Sequence, residues 1–128
     1  SGDITATARL WEKRGIGTDS PTPLAVGDRA YVVNFKGKVW CLDLLTGREF
    51  WSTALPAGKG MFYSSPVLAG DTLYICREEG DVYVCQIGPT GLRVLSQTRF
   101  DDVFVATPVL VRDRLLLRGE KNLYCVGK

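Results

Sequence analysis

The chain of 128 residues repeats one pattern three times, and this repeat constrains the fold more than any other feature of the sequence. A Ser or Thr followed by proline opens each copy, at Pro23, Pro66 and Pro108. Pro66 lies 43 residues after Pro23, and Pro108 lies 42 residues after Pro66. Each copy continues with a short apolar run, a turn that ends in Asp and a second apolar run. Repeats of about this length are typical of structural units that stack against their neighbours.

Each copy is predicted to begin with a hairpin of two antiparallel strands. The first strands are expected at residues 24–26, 67–69 and 109–111. The proline before each of them removes no hydrogen bond from a sheet, because it stands at the strand start. Gly27-Asp28 and Gly70-Asp71 are typical of two-residue hairpin turns. The third copy has Arg112-Asp113 instead, so its turn is expected to differ.

Two further strands are predicted in each of the first two copies, and one in the third. The third strands contain Trp40, Tyr83 and Tyr124, and the fourth strands lie within residues 48–54 and 92–98. No helical periodicity is visible, and Gly and Pro interrupt the chain too often for a long helix. Four-stranded units with a period in the low forties predict an all-β protein built from β-propeller blades.

One domain is expected over residues 1–128, with units at about 14–55, 56–99 and 100–128. Residues 5–13, which include Trp11, are predicted to form an extra strand that completes a last blade. Closed propellers have about four to eight blades. Two copies are therefore expected to form a six-bladed ring as a homodimer, each lending its first strand to the other. The alternative is that the chain is the C-terminal part of a longer propeller.

The segment CLDLLTGREFW, from Cys41 to Trp51, is predicted to form the turn between the third and fourth strands of the first unit. The Asp43 carboxylate accepts hydrogen bonds from turn amides, and Thr46 adds a second side-chain bond to the backbone. Gly47 allows a left-handed conformation at low cost. Trp51 then points toward the next unit and buries a large apolar area there.

This segment resembles the tryptophan-docking motif A-x-D-x-x-T-G-x-x-x-W of the PQQ-like (pyrroloquinoline-quinone-type) β-propeller repeats. The matching residues are Asp43, Thr46, Gly47 and Trp51, with Cys41 at the alanine position. Trp11 resembles the last residue of a preceding motif. The second unit keeps Thr90-Gly91 and has Leu95 at the tryptophan position. The resemblance covers nearly the whole chain and implies the fold, but most proteins with such repeats lack the quinone cofactor.

The resemblance leaves two functional classes to weigh. Quinoprotein dehydrogenases resemble one another in a disulfide between two cysteines adjacent in sequence and in their calcium ligands. No Cys-Cys pair occurs in this sequence. Neither Glu78-Glu79 nor Asp101-Asp102 has the pattern of a calcium loop. The chain also has no histidine, the commonest general base and metal ligand. We therefore expect no catalytic residue, no metal and no cofactor; the alternative is a fragment of a quinoprotein dehydrogenase or of a larger enzyme.

The expected function is non-catalytic binding or scaffolding through the loops between units. These inter-unit loops are residues 13–21, 56–66 and 98–108, and loops of this kind commonly carry function. The candidate partner-binding residues are Arg14, Asp19, Lys59, Tyr63, Asp101 and Asp102. Phe62 and Phe100 belong to this surface; in the alternative, Phe62, Phe100 and Phe104 pack beneath their own loops. The mixture of polar and aromatic residues suits a protein or a glycan partner.

Charge and hydropathy exclude other partners. The net charge is +2, and Lys and Arg are scattered along the chain, so a nucleic-acid partner is not expected. No apolar stretch is long enough to span a membrane. The resemblance implies a periplasmic or extracellular location, whereas unpaired cysteines favour a reducing compartment.

The four cysteines are expected to be buried as small apolar side chains. They are Cys41, Cys76, Cys85 and Cys125, and each lies in an apolar, strand-like run. Free cysteine is among the residue types most often buried. A disulfide between Cys76 and Cys85 is the alternative, although the predicted register does not place them opposite each other.

Overall fold

A computed structural model describes residues 2, 4, 6–17 and 19–127. Eleven strands and no helix form in this part of the chain. The strands are β1 (Leu24–Val26), β2 (Arg29–Val33), β3 (Lys38–Asp43), β4 (Glu49–Ala54), β5 (Val67–Ala69), β6 (Thr72–Cys76), β7 (Asp81–Ile87), β8 (Leu92–Arg99), β9 (Val109–Val111), β10 (Arg114–Arg118) and β11 (Leu123–Gly127).

These strands form three antiparallel sheets in which neighbours in sequence are neighbours in space. The orders are β1-β2-β3-β4, β5-β6-β7-β8 and β9-β10-β11, and we call the sheets units 1, 2 and 3. The predicted all-β units are confirmed, including the three-stranded third unit. Each first strand has only three residues because a turn follows it at once.

The first hairpin turn has the same conformation in all three units. The backbone φ is 59° at Gly27, 60° at Gly70 and 56° at Arg112. The expectation that the third copy turns differently is therefore wrong. Arg112 takes the left-handed conformation that glycine takes in units 1 and 2, although this costs an ordinary L-residue about 1–2 kcal/mol. The pairing of β9 with β10 on either side of the turn holds it there.

The predicted strand at residues 5–13 is absent from this single chain. Thr5 lies outside the described residues. The amide of Ala8 bonds to the carbonyl of Ile4 in a turn, and no strand follows over residues 9–13. A strand needs a neighbouring strand to satisfy its amides. The segment instead lies against unit 1, where Trp11 and Ile16 pack on an apolar cluster.

Units 1 and 2 pack through both of their faces, because successive side chains of a strand point to opposite sides. One face of unit 1 packs on unit 2, with Tyr31, Val39 and Cys41 against Leu73, Ile75, Tyr83 and Cys85. The other face of unit 2 packs on unit 3 through Cys76, Val82, Phe104, Leu115 and Leu117. The remaining face of unit 1 presents Ala30, Trp40 and Leu42 to the N-terminal segment. The three sheets therefore form an open row of propeller blades.

Three of the four cysteines are buried, and Cys125 is exposed. The expectation of burial is wrong for Cys125, because it lies on the face of unit 3 that no other described unit covers. All four thiols are free, and Cys76 pairs with Val82 rather than with Cys85. Burial raises the pKa of the Cys76 and Cys85 thiols to about 12, so both remain protonated at neutral pH.

Candidate functional site

The loops after units 1 and 2 lie at one end of the sheets, each resting on a hairpin of the preceding unit. The amide of Phe62 donates to the carbonyl of Phe35, in the β2–β3 hairpin, at 2.9 Å. The amide of Phe104 donates to the carbonyl of Glu78, in the β6–β7 hairpin, at 3.0 Å. The repeated contact fixes both loops at the same height relative to their units.

The Ser or Thr before each proline links one unit to the next at this end. The amide of Thr22 donates to the hydroxyl of Ser65 at 2.8 Å, and the amide of Ser65 donates to the hydroxyl of Thr107 at 3.2 Å. The Ser20 hydroxyl also donates to the carbonyl of Tyr63 at 2.8 Å. One series of hydrogen bonds thus runs through all three units and ties the loops together.

A buried arginine that the sequence analysis missed supports the loop at residues 56–66. Arg77 is 2% exposed, and its guanidinium donates to the carbonyl of Pro56 at 2.6 Å and to that of Lys59 at 3.3 Å. The guanidinium also lies over the ring of Phe62, 4.7 Å from its centroid. A β-carbon at Gly58 would overlap the guanidinium. The loop conformation therefore depends on Arg77. Its position in the sequence, directly after β6, does not predict this role.

Asp102 does not lie on the exposed loop surface, where a partner-binding residue was expected. Its side chain is buried, and the carboxylate accepts hydrogen bonds from the amides of Val103, Lys121 and Asn122 at 2.8–3.0 Å. The Tyr124 hydroxyl donates to it at 3.0 Å. Burial alone raises the pKa of this carboxyl, but these hydrogen bonds outweigh burial and bring it down to about 2. Asp102 therefore joins its loop to the β10–β11 hairpin as an ionised internal group.

The other candidate residues of the loops are more accessible. Arg14, Asp19, Lys59 and Asp101 are exposed, and Tyr63 is half-buried. The structure brings the loops of Lys59 and Asp101 to the same end of the sheets, each on its own unit. The exposed set is two cations and two carboxylates, which favours a partner of mixed charge.

The phenylalanines of the loops pack beneath them. Phe62 and Phe104 are fully buried, and Phe100 is half-buried. The Phe100 ring lies edge-on to Phe104, with centroids 5.6 Å apart, and to Tyr124, at 4.9 Å. The structure therefore shows these side chains packed beneath the loops rather than on the candidate partner-binding surface.

The turn from Asp43 to Arg48 joins β3 to β4 at the opposite end of unit 1. The Asp43 carboxylate accepts hydrogen bonds from the amides of Leu45 and Thr46, both at 2.9 Å, and the Thr46 hydroxyl accepts one from the amide of Arg48 at 3.3 Å. The bond from the Thr46 amide is the main cause of a lowered Asp43 pKa. Gly47 has a φ of 73°, and a β-carbon there would press on the ring of Trp11.

The two tryptophans of the motif both donate a hydrogen bond to a turn of the unit that follows them. The Trp11 indole nitrogen donates to the carbonyl of Leu44 at 2.9 Å, and that of Trp51 donates to the carbonyl of Gly88 at 3.0 Å. Leu44 belongs to unit 1 and Gly88 to unit 2. Trp11 therefore contacts unit 1 much as Trp51 contacts unit 2.

In unit 2 the position equivalent to Trp51 is occupied by Ser96. Both units have a register shift in the pairing of their last two strands, directly after Cys41 in unit 1 and directly after Val84 in unit 2. Cys41 pairs with Trp51, and Val84 pairs with Ser96. Counting from Thr90-Gly91 leads to Leu95, but the longer β7–β8 hairpin moves the equivalent position to Ser96. The assignment of Leu95 to the tryptophan position is therefore wrong.

The described residues hold no group of three or more His, Cys, Asp or Glu side chains that is suited to a metal ion. Arg99 lies 3.6 Å from carboxylate oxygens of both Glu79 and Asp81, so these acids have cationic partners. Within the same residues, no helix has the length and apolar character that crossing a membrane requires.

Comparison with known proteins gives matches in sequence. The model of the family PQQ_2, described as outer membrane protein assembly factor BamB, matches residues 1–53. A curated relative from Marinobacter adhaerens, outer membrane protein assembly factor BamB, is 26% identical over 95 residues. That alignment covers 74% of this chain and 23% of the relative, so the chain matches about a quarter of the relative's length.

Solved structures resemble the chain in fold. BamB from Moraxella catarrhalis aligns with a TM-score of 0.67 and 15% identity, over 84% of this chain and 31% of that one. The β-propeller domain of Cps50 (Swd1) from Myceliophthora aligns with a TM-score of 0.70 and 12% identity, over 84% and 39%. Quinohemoprotein alcohol dehydrogenase ADHIIG from Pseudomonas putida aligns with a TM-score of 0.59 and 15% identity, over 77% and 16%.

The sheet topology and these structural likenesses define the chain as a segment of a β-propeller. In sequence, residues 1–53 are similar to the PQQ_2 family model, and the curated relative is similar over 74% of the chain.

Proposed function

We propose that this chain is a non-catalytic binding or scaffolding module that presents its inter-unit loops to a partner protein. The observation that carries the proposal is the internal support of these loops. Arg77 and Asp102 direct their charges inward, and the Ser/Thr series fixes the spacing from one unit to the next. Lys59 and Asp101 remain exposed on this rigid base. A pre-ordered surface loses little conformational entropy on binding, which favours affinity.

The choice of a protein over a glycan as partner rests on the relatives. Both the family description and the curated relative name an outer membrane protein assembly factor. By analogy with that name, the partner is a protein of the bacterial cell envelope, and the chain acts in the periplasm beside the outer membrane. A glycan partner is the alternative for the same loops.

The competing class is a fragment of a quinoprotein dehydrogenase, and a titration separates the two. Purified chain is mixed with PQQ and Ca²⁺, and the quinone absorbance and the melting temperature of the protein are followed. We expect no spectral shift and no stabilisation. Stabilisation that saturates with PQQ supports the dehydrogenase, because a ligand that binds the native state raises its stability.

We further propose that two copies close a six-bladed ring. Leu123 occupies in unit 3 the position that Val39 occupies in unit 1 and Val82 in unit 2, as the pairing of each with the preceding strand indicates. Val39 and Val82 are buried by the next unit, whereas Leu123 is 70% exposed. Exposed apolar positions of this kind favour association with another surface. The N-terminal segment that covers unit 1 of a second copy supplies such a surface, since Leu10 in it is 76% exposed.

Trp11 and Trp51 are proposed to hold neighbouring units together through their indole rings. Each indole ring contacts the unit that follows its own tryptophan in the chain. This role is structural and is independent of any ligand.

A further inference from the structure

The boundary between units 2 and 3 has a groove at the position that an indole fills between units 1 and 2. Trp51 is 5% exposed in the first boundary, and its ring centroid lies 6.2 Å from that of Tyr31. Ser96 is equivalent to Trp51, and Tyr74 is equivalent to Tyr31, because each tyrosine pairs with the first residue of the first strand. Unit 2 therefore retains the tyrosine but has only a hydroxymethyl group where the indole stands in unit 1.

The resulting groove has a volume of about 320 Å³. Its walls are mainly apolar and come from both units, with Tyr74, Val82, Val84, Leu110, Leu115 and Val126 among the lining residues. Ser96 and Thr98 line it on the outer strand of unit 2. Small-ligand sites are commonly about 300–1,000 Å³ and mostly apolar, so this groove suits one large side chain.

The rim of the groove carries positive charge. Arg112, Asp113 and Arg114 lie there, and Arg114 is 3.6 Å from the Asp113 carboxylate. The exposed Arg112 side chain extends from the left-handed turn. A carboxylate next to an inserted ring gains from this charge.

We propose that this groove binds a tryptophan side chain of a partner protein, next to an acidic residue in the partner segment. The first boundary of the same molecule shows what such a groove accepts, namely an indole against a tyrosine. The groove shares Phe100 with the loop after unit 2, but the candidate partner-binding residues Lys59, Tyr63 and Asp101 do not line it. Tryptophan binding in the groove therefore does not depend on these three loop residues.

The test uses N-acetyltryptophanamide as the probe and the melting temperature of the full chain as the readout. We expect saturable stabilisation of the wild type. N-acetylleucinamide is expected to bind at least about tenfold more weakly, a factor that corresponds to 1.4 kcal/mol. Failure of N-acetyltryptophanamide to stabilise the wild type, or equal affinities of the two amides, overturns the proposal.

Variants locate the probe. Ser96→Trp places an indole in the groove and is expected to abolish the response to the probe, while Leu95→Trp adds an indole at an exposed neighbour and preserves the response. If Ser96→Trp does not fold, Ser96→Leu is the smaller filling change, and it should weaken the response. A response of either folded Ser96 variant equal to that of the wild type contradicts the proposal.

The charge at the rim is tested with N-acetyltryptophan, which carries a carboxylate. It is expected to bind more tightly than the neutral amide at low salt. This advantage should disappear in Arg112→Asn, because asparagine tolerates the left-handed conformation and removes the charge. Equal binding of the two tryptophan probes to the wild type overturns the assignment of an acidic neighbour.

Discussion

Adjacent aspartates in the loop after unit 2 have opposite environments. Asp101 is exposed, whereas the carboxylate of Asp102 is buried and accepts hydrogen bonds from the β10–β11 hairpin. A β-carbon at Gly119 would overlap that carboxylate, so the hairpin is shaped to receive it. The sequence does not separate the two residues, because the partners of Asp102 lie about 20 positions further along the chain.

Asp102 should make the stability of the chain depend on acid pH. Its pKa is about 2 in the folded chain against an ordinary value of 3.8, so folding favours the ionised form. The stability it contributes is present above pH 3.8 and is lost as the pH falls toward 2. Urea unfolding at pH 5, 3 and 2 should show this loss, and Asp102→Asn should reduce the difference between pH 5 and pH 2.

Asp101→Asn is the matched control, since it makes the same chemical change at an exposed neighbour. We expect its pH dependence to follow that of the wild type. If Asp102→Asn has the same pH dependence as Asp101→Asn, the hydrogen-bonded carboxylate is not a stabilising group.

Most strands could be predicted from the sequence, because short apolar runs, Gly-Asp turns and the repeat agree on the same boundaries. Two elements could not. The N-terminal segment has the composition of a strand, but pairing needs a neighbour, which sequence spacing does not supply. The turn at Arg112 adopts a left-handed conformation that its side chain disfavours, since the flanking strands determine it.

The contact between units 1 and 2 depends on the indole at the end of the first motif. We expect Trp51→Ala to reduce the free energy of unfolding by about 3–5 kcal/mol, because it removes a buried ring and leaves a cavity. Chemical denaturation measures the change. Leu95→Ala, at an exposed position of the equivalent strand, should change stability by less than about 0.5 kcal/mol. A Trp51→Ala protein that keeps its stability but loses a ligand contradicts the structural role.

At the scale of the whole molecule, three units form an open row, and closure requires further units. Light scattering of the purified chain should give the mass of two chains. Leu123→Glu should produce single chains, because it places a charge on the open face of unit 3. Leu45→Glu is a close control, since Leu45 is 69% exposed and Leu123 is 70% exposed.

A wild-type mass of one chain that persists at high concentration, with a cooperative melt, contradicts ring closure by two copies. If Leu45→Glu dissociates the dimer as much as Leu123→Glu does, ring closure is also contradicted, because Leu45 lies in the β3–β4 turn and not on the open face.

The candidate site was less predictable than the fold. Loop positions follow from the repeat, so the segments could be located, and the exposure of Arg14, Asp19, Lys59 and Asp101 agrees with a surface role. The support beneath the loops could not be located, because Arg77 and Asp102 resemble surface residues in sequence. A charged residue in a hairpin or loop is normally solvated, and only the three-dimensional contacts show that these two are not.

Site-specific photocrosslinking in cells tests the central claim most directly, because it shows which end of the sheets meets a partner protein. A benzophenone amino acid replaces Lys59 or Asp101 at the loop end of the sheets. The control replaces Asp28, which is also exposed but lies at the opposite end. The binding-module account predicts a defined protein adduct from positions 59 and 101 and none from position 28. Adducts from position 28 alone, or no adduct from either loop position, would contradict it.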